Sequence, residues 1–135
     1  MTTTPTSTEV PTVNLVVLRG VASAPAGVRR LQSGQRLATL SVRVHGPAVP
    51  TATDGDRQPA TSVPVAVWDP PAWVDDVDVD DPLVVVGRLH RRFYRTDGGT
   101  GARVEVVASL IGRGSDRRRV DAAERRALAE LEGLG

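Results

Sequence analysis

Residues 83–107, LVVVGRLHRRFYRTDGGTGARVEVV, hold two apolar runs, a basic and aromatic segment between them, and a glycine-rich turn. Read at strand period, Val84, Val86, Arg88, His90, Arg92 and Tyr94 share one face; Leu83, Val85, Gly87 and Leu89 share the other. One side of such a strand can pack a core. The other carries hydrogen-bonding cations and ends in an aromatic ring, a surface suited to phosphates and bases. Thr96–Gly101 (TDGGTG) turns Leu83–Arg95 back onto Ala102–Ile111 as a hairpin, and in the second strand Val104, Val106, Ala108 and Leu110 are expected to face inward.

Just upstream the character changes. In Thr61–Trp68 (TSVPVAVW), Val63, Val65 and Val67 alternate with Ser62, Pro64, Ala66 and Trp68. Pro64 cannot donate a ladder hydrogen bond, so this strand is an edge or is bulged there. Trp68 falls on the face away from the valines, as a stacking platform or as a ring covering a barrel end; both readings stand. Asp69 before Pro70 has the form of an N-cap and first helical residue, and Trp73 and Val77 stand four apart, so Asp69–Asp81 is expected to contain a short helix.

Further upstream, Arg36–His45 (RLATLSVRVH) alternates cleanly, with Ala38, Leu40, Val42 and Val44 inward and Arg43 displayed outward. Gly46–Ala60 has no apolar period and reads as a long loop, functional or disordered. Val13–Val21 is a first, mostly buried strand; Pro25 and Gly27 mark a bend, Val28–Leu31 a short continuation, and Ser33-Gly34 a turn. The polar, proline-punctuated Met1–Pro11 reads as a mobile tail. Downstream, Asp116–Leu134 reads as a charged helix with a narrow apolar stripe of Val120, Ala123, Ala127, Leu128 and Leu131.

The whole is expected to be all-β: a five-stranded OB-fold barrel with a short helix between strands 3 and 4, plus a C-terminal helix. Residues 1–12 would form a flexible tail, 13–112 the barrel domain, and 113–135 a charged helix or tail.

Composition narrows the function. With 135 residues the chain suits one domain, and without Cys it can form no disulfide, thiolate zinc site or cysteine nucleophile. The start is neither charged nor apolar, as a signal peptide would be, and no apolar run approaches the roughly 18 residues that cross a bilayer. A soluble, cytoplasmic (nucleoid-associated) protein without membrane partners is the expectation. The net charge of +1 conceals segregation: residues 61–82 carry six Asp and no Arg, whereas 83–119 carry nine Arg against three acids. Every cation is Arg, which offers a planar fork to phosphate and stacks on rings. A GC-rich genome would account for that usage as readily as selection for binding.

At this point the chain resembles the bacterial single-stranded DNA-binding protein family over roughly Val13 to Ile111. The matching residues are Asn14, Val16, Leu18 and Gly20, then Pro25, Arg30 and Ser33-Gly34. Ala38–Val44 matches the second strand, and Val65–Trp68 matches the strand that ends in an aromatic before the helix. Gly87-Arg88-Leu89, the glycine hairpin and Arg103–Ala108 complete it. The resemblance implies that Trp68 and Tyr94 stack on bases, and that Arg88, Arg91, Arg92, Arg43 and Arg103 border the nucleic-acid path. Phe93, Arg95, Arg30 and Arg36 complete the candidate set. It also implies a homo-oligomer, tetramer or dimer, acting in DNA replication, recombination or repair. The chain departs from the family at Ser62, where a Trp is usual, and at its GLG end, which lacks the acidic tip that recruits repair enzymes; no such recruitment is expected.

Two further chemistries are weaker. Asp76, Asp78 and Asp80 have the spacing of a calcium loop, but Asp81 stands where Gly is needed and Gly87 where a bidentate Glu is needed. Those aspartates are better read as a solvated face, or as a contact to an Arg-rich neighbour within or between subunits. His45 and His90 are isolated, with no nucleophile or phosphate-loop motif, so neither an enzyme nor a metal or other cofactor is expected. The alternatives to single-stranded DNA are single-stranded RNA and an interaction module that has lost DNA binding and works through its C-terminal helix.

Overall fold

The alternating valine segments become strands that close on themselves. The computed structural model describes residues 10, 12–46, 49–51, 55–57 and 60–133, with the backbone alone for 49–51 and 55–57. Its strands are β1 (Val16–Ala22), β2 (Gly27–Arg30), β3 (Arg36–His45), β4 (Val49–Thr51), β5 (Gly55–Arg57), β6 (Ala60–Trp68), β7 (Pro82–Thr96) and β8 (Gly99–Arg113). A 3-10 helix, Ala72–Asp76, separates β6 from β7, and helix α1 (Arg117–Glu132) follows β8.

Five strands form the barrel. β1 pairs with β7, β7 with β8, β8 with β6, β6 with β3, and β3 back with β1 at Val21–Ala22. All these pairings are antiparallel except β6 with β8, which run parallel through Val65–Val106 and Ala66–Val107. This closed order, with a helix between the third and fourth barrel strands, is the OB-fold. β2 continues the first strand and folds over β3 through the Ser33-Gly34 turn, where Gly34 takes φ 91.

The inward faces are the expected ones for Ala38, Leu40, Val42, Val65, Val67, Leu83, Val85 and Val106, which form one buried cluster. Val74 and Val77 of the helical segment, with Trp73 beside them, plug one end. A fully buried valine or leucine contributes about 1.5–3 kcal/mol, so this cluster supplies most of the fold's driving force. Gly20 and Gly87 sit where strands cross closely: a β-carbon would strike the Arg43 carbonyl in one case and the Val107 carbonyl in the other.

Three expectations are corrected. Neither Leu110 nor Val104 faces inward; Val104, in the hairpin beyond the barrel wall, is 54% exposed. Between Val86 and Gly87 the register shifts, so that Val86 pairs with Leu110 and Gly87 with Ala108, leaving Ser109 as an extra residue in β8. Its hydroxyl donates to the Val86 carbonyl at 3.1 Å. The bulge reverses the parity of β8, so Ile111 joins the core and Leu110 turns outward.

Second, the Asp69-Pro70 pair does not cap a helix. The Asp69 N–H donates to the Arg36 carbonyl at 2.8 Å, extending the β3–β6 pairing, and Asp69 takes φ 49. The helix starts two residues later, its N-cap being Pro71 without a side-chain hydrogen bond, and it ends before Val77, which is extended.

Third, Gly46–Ala60 is not wholly loop: β4 and β5 pair as a small antiparallel ribbon. Residues 47–48, 52–54 and 58–59 lie outside the described residues, as do 1–9 and 11 of the expected tail and 134–135 at the chain end.

The expected C-terminal helix forms and packs on the barrel. Asp116 caps α1, accepting from the Arg118 and Arg119 N–H groups at 3.1 and 3.4 Å. Val120, Ala123 and Ala127 then cover Val84 and Val86, with Leu15 and Leu110 packed alongside. Leu128 and Leu131, the rest of the expected stripe, remain exposed. One face of β7 is thus capped by α1 at its start and open beyond Gly87.

Candidate nucleic-acid interface

β7 and β8 are each 15 residues long, longer than the barrel wall requires, so their hairpin projects past it. On the outward face of that projection the register places Arg88 opposite Val107, His90 opposite Glu105, Arg92 opposite Arg103 and Tyr94 opposite Gly101. Facing this sheet across a groove stand β2 and the outer faces of β3 and β6.

The groove has two compartments. One, of about 660 Å³, is lined by Gly27, Val28, Arg29, Thr39, Arg92, Tyr94 and Arg103. The other, of about 410 Å³, has Leu37, Ala66 and Val107 among its apolar lining, with Trp68, Arg29, Leu31, Arg88, His90, Arg92 and Glu105 around them. Arg29 and Arg92 line both. Trp68 and Tyr94 are each 45% exposed, enough to offer a ring face to a base. Tyr94 lies across Gly101: a β-carbon there would be 2.6 Å from its Cε2 and Cζ.

The expected site residues divide accordingly. Trp68, Tyr94, Arg88, Arg92 and Arg103 come together in the groove. Arg91 and Phe93 have the opposite parity on β7 and lie on the reverse face, with the Arg91 guanidinium 5.3 Å from the Phe93 ring centre. Arg95 shares their parity near the tip. Arg30 lines a neighbouring depression with Arg36 and Asp75.

Arg36 and Arg43 are already engaged. Arg36 pairs with Asp75, and Arg43 with Asp80 at 3.0 Å. The acidic segment is thus a contact to arginines within the chain. It is pinned beside β1, where the Asp80 N–H donates to the Ala22 carbonyl at 2.7 Å and the Ala22 N–H to that of Asp81 at 2.9 Å.

Of the arginines and acids that line the groove, Arg29 and Glu105 are absent from the sequence-derived set. Glu105 is the one buried charged side chain among the described residues, 6% exposed. Alternation in ARVEVV already put Arg103, Glu105 and Val107 on one face, so a signal existed. Arg29 carried none: which of Arg29 and Arg30 enters the groove depends on how β2 folds over β3.

No protein-family model matches the chain, and no curated protein matches its sequence. Solved structures do. A deletion mutant of the single-stranded DNA-binding protein from Thermus aquaticus superposes with a TM-score of 0.62 at 24% identity, covering 75% of this chain and 50% of that one. This chain thus spans half the length of the Thermus chain. A Plasmodium falciparum SSB in complex with single-stranded DNA gives a TM-score of 0.65 at 18% identity, over 78% of this chain and 97% of that one. These likenesses establish the shared OB-fold.

Proposed function

We propose that the chain binds single-stranded DNA with little overall sequence preference, along the groove between β2 and the β7–β8 hairpin. One observation carries the reading: a continuous groove puts Trp68 and Tyr94 on the same path as Arg29, Arg88, Arg92 and Arg103. Unpaired bases need ring faces to replace their lost stacking, and the backbone needs cations along its path; this groove offers both. The Plasmodium neighbour, solved with single-stranded DNA, supports the same reading.

The binding is non-catalytic and serves replication, recombination or repair in the cytoplasm. Self-association accompanies it: Leu89, Phe93 and Val104, all more than half exposed, lie on the reverse of the hairpin and suit a second copy of the chain. The reading as an interaction module working through the C-terminal helix has less support, because Val120, Ala123 and Ala127, three of the five stripe residues of α1, are covered by Val84 and Val86.

Titration with oligo-dT, followed by tryptophan fluorescence at low salt, tests the proposal. Quenching from Trp68 is expected. Its absence, in a folded protein, would overturn the reading. Solution mass with and without oligonucleotide tests self-association.

A further inference from the structure

Glu105 is out of place in a groove built for phosphates. Its side chain is 7% exposed, and two basic neighbours, His90 through Nδ1 and Arg92 through Nη1, each stand 3.9 Å from a carboxylate oxygen. Those distances permit attraction but are too long for hydrogen bonds. Glu105 lines the Trp68 compartment, and among the described residues no side-chain oxygen is both fully buried and without a partner. A carboxylate that lines a cavity repels phosphate and accepts from paired donors.

The surroundings favour a base over backbone in this compartment. Leu37, Ala66 and Val107 contribute an apolar lining, and Trp68 stands beside them as a ring. A flat heterocycle can lie against such surfaces, whereas a phosphate seated there would face the Glu105 carboxylate. The cations that would hold the flanking phosphates, Arg88 and Arg92, stand at the compartment's wall.

Resting on the reading of the groove as a single-stranded DNA path, we propose that Glu105 gives the Trp68 compartment a preference for guanine. On its Watson–Crick edge guanine carries an N1–H and a 2-amino group side by side, two donors that match the two oxygens of one carboxylate. Cytosine and adenine offer one exocyclic amino group beside an acceptor; thymine offers one N–H between two carbonyls. A carboxylate therefore pairs with guanine twice and with each other base once. The preference belongs to one compartment, so it modulates a path that otherwise accepts any base.

The test compares thymidine oligomers that carry isolated guanines with the same oligomers carrying hypoxanthine in their place. The two differ only in the 2-amino group. Wild-type protein is expected to bind the guanine oligomer about three- to tenfold tighter, and Glu105→Gln, which offers one acceptor and one donor, to bring that ratio close to one. A wild-type ratio near one overturns the inference, as does an unchanged ratio in a folded Glu105→Gln protein. Should that variant lose its circular dichroism signature, the wild-type ratio alone decides. Failure to bind either oligomer would overturn the nucleic-acid reading itself, which keeps the two failures distinct.

Discussion

The Asn14 side-chain amide satisfies both backbone groups of Leu89: its Nδ2 donates to the Leu89 carbonyl at 2.9 Å and its Oδ1 accepts from the Leu89 N–H at 2.8 Å. The amide thereby acts as a strand neighbour where β1 has not yet begun and β7 is leaving the barrel. It steadies the root of the hairpin that carries Arg88, His90, Arg92 and Tyr94. Replacing Asn14 with Ala leaves those two groups to water and is expected to cost about 1 kcal/mol of stability. Faster amide exchange at Leu89, measured against residues in the core of β7, would check it. Unchanged exchange would remove the structural role.

The two-faced hairpin makes a sharp contrast among aromatics. Trp68→Ala and Tyr94→Ala are each expected to weaken oligo-dT binding by about 1–3 kcal/mol, the value of one stacked base. Phe93 is 65% exposed but on the reverse face, so Phe93→Ala should leave affinity for a single strand unchanged and alter only self-association. Equilibrium titration of the three variants decides; an equal loss for Phe93→Ala would mean that DNA follows both faces.

Among the arginines, salt dependence separates those that meet phosphate from those held by aspartate. Arg29→Ala and Arg103→Ala are each expected to reduce the slope of log K against log salt by about 0.7, the share of one phosphate on a single strand. Arg36→Ala should leave the slope as it was, since Asp75 already holds that guanidinium. A slope change for Arg36 equal to that for Arg103 would show that the ion pair opens for DNA.

Gly101 sets the position of Tyr94. A methyl group there would collide with the ring, which must then rotate off the hairpin. Gly101→Ala is expected to reduce affinity about as much as Tyr94→Ala does, while the melting temperature stays near that of the wild type because the site is at an exposed hairpin. A Gly101→Ala protein with full affinity would show that the ring binds in another orientation.

Helix α1 belongs to the fold's stability. Val120 is 4% exposed and Ala123 fully buried against β7. Val120→Ala is expected to cost about 2 kcal/mol through lost burial and the cavity left behind. Ala123→Asp, which places an unpaired charge between the helix and Val84 and Val86, should cost more and lower the thermal midpoint further. The Arg19–Glu124 pair at 3.2 Å is exposed on both sides and should contribute under about 1 kcal/mol. Thermal unfolding followed by circular dichroism ranks the three.

What alternation alone determined is considerable. The inward valines of β3 and β6, the outward Trp68, and the common face of Arg88, Arg92 and Tyr94 all follow from a period of two, because side chains on an unbroken strand have only two directions. The same parity already separated Arg91, Phe93 and Arg95 from that face. Local pattern stops at events that join distant segments. The bulge at Ser109, which sends Leu110 to α1 and Ile111 to the core, arises where β8 must bend to close the barrel. The pairing of Arg36 with Asp75 and of Arg43 with Asp80 links residues nearly forty positions apart, which no local pattern along the chain reveals. Arg29 enters the groove because β2 folds over β3, and Glu105 becomes a buried carboxylate because Trp68 and the arginines are gathered around it. Chain order specified which residues could face outward; only closure of the barrel decided which of them face one another.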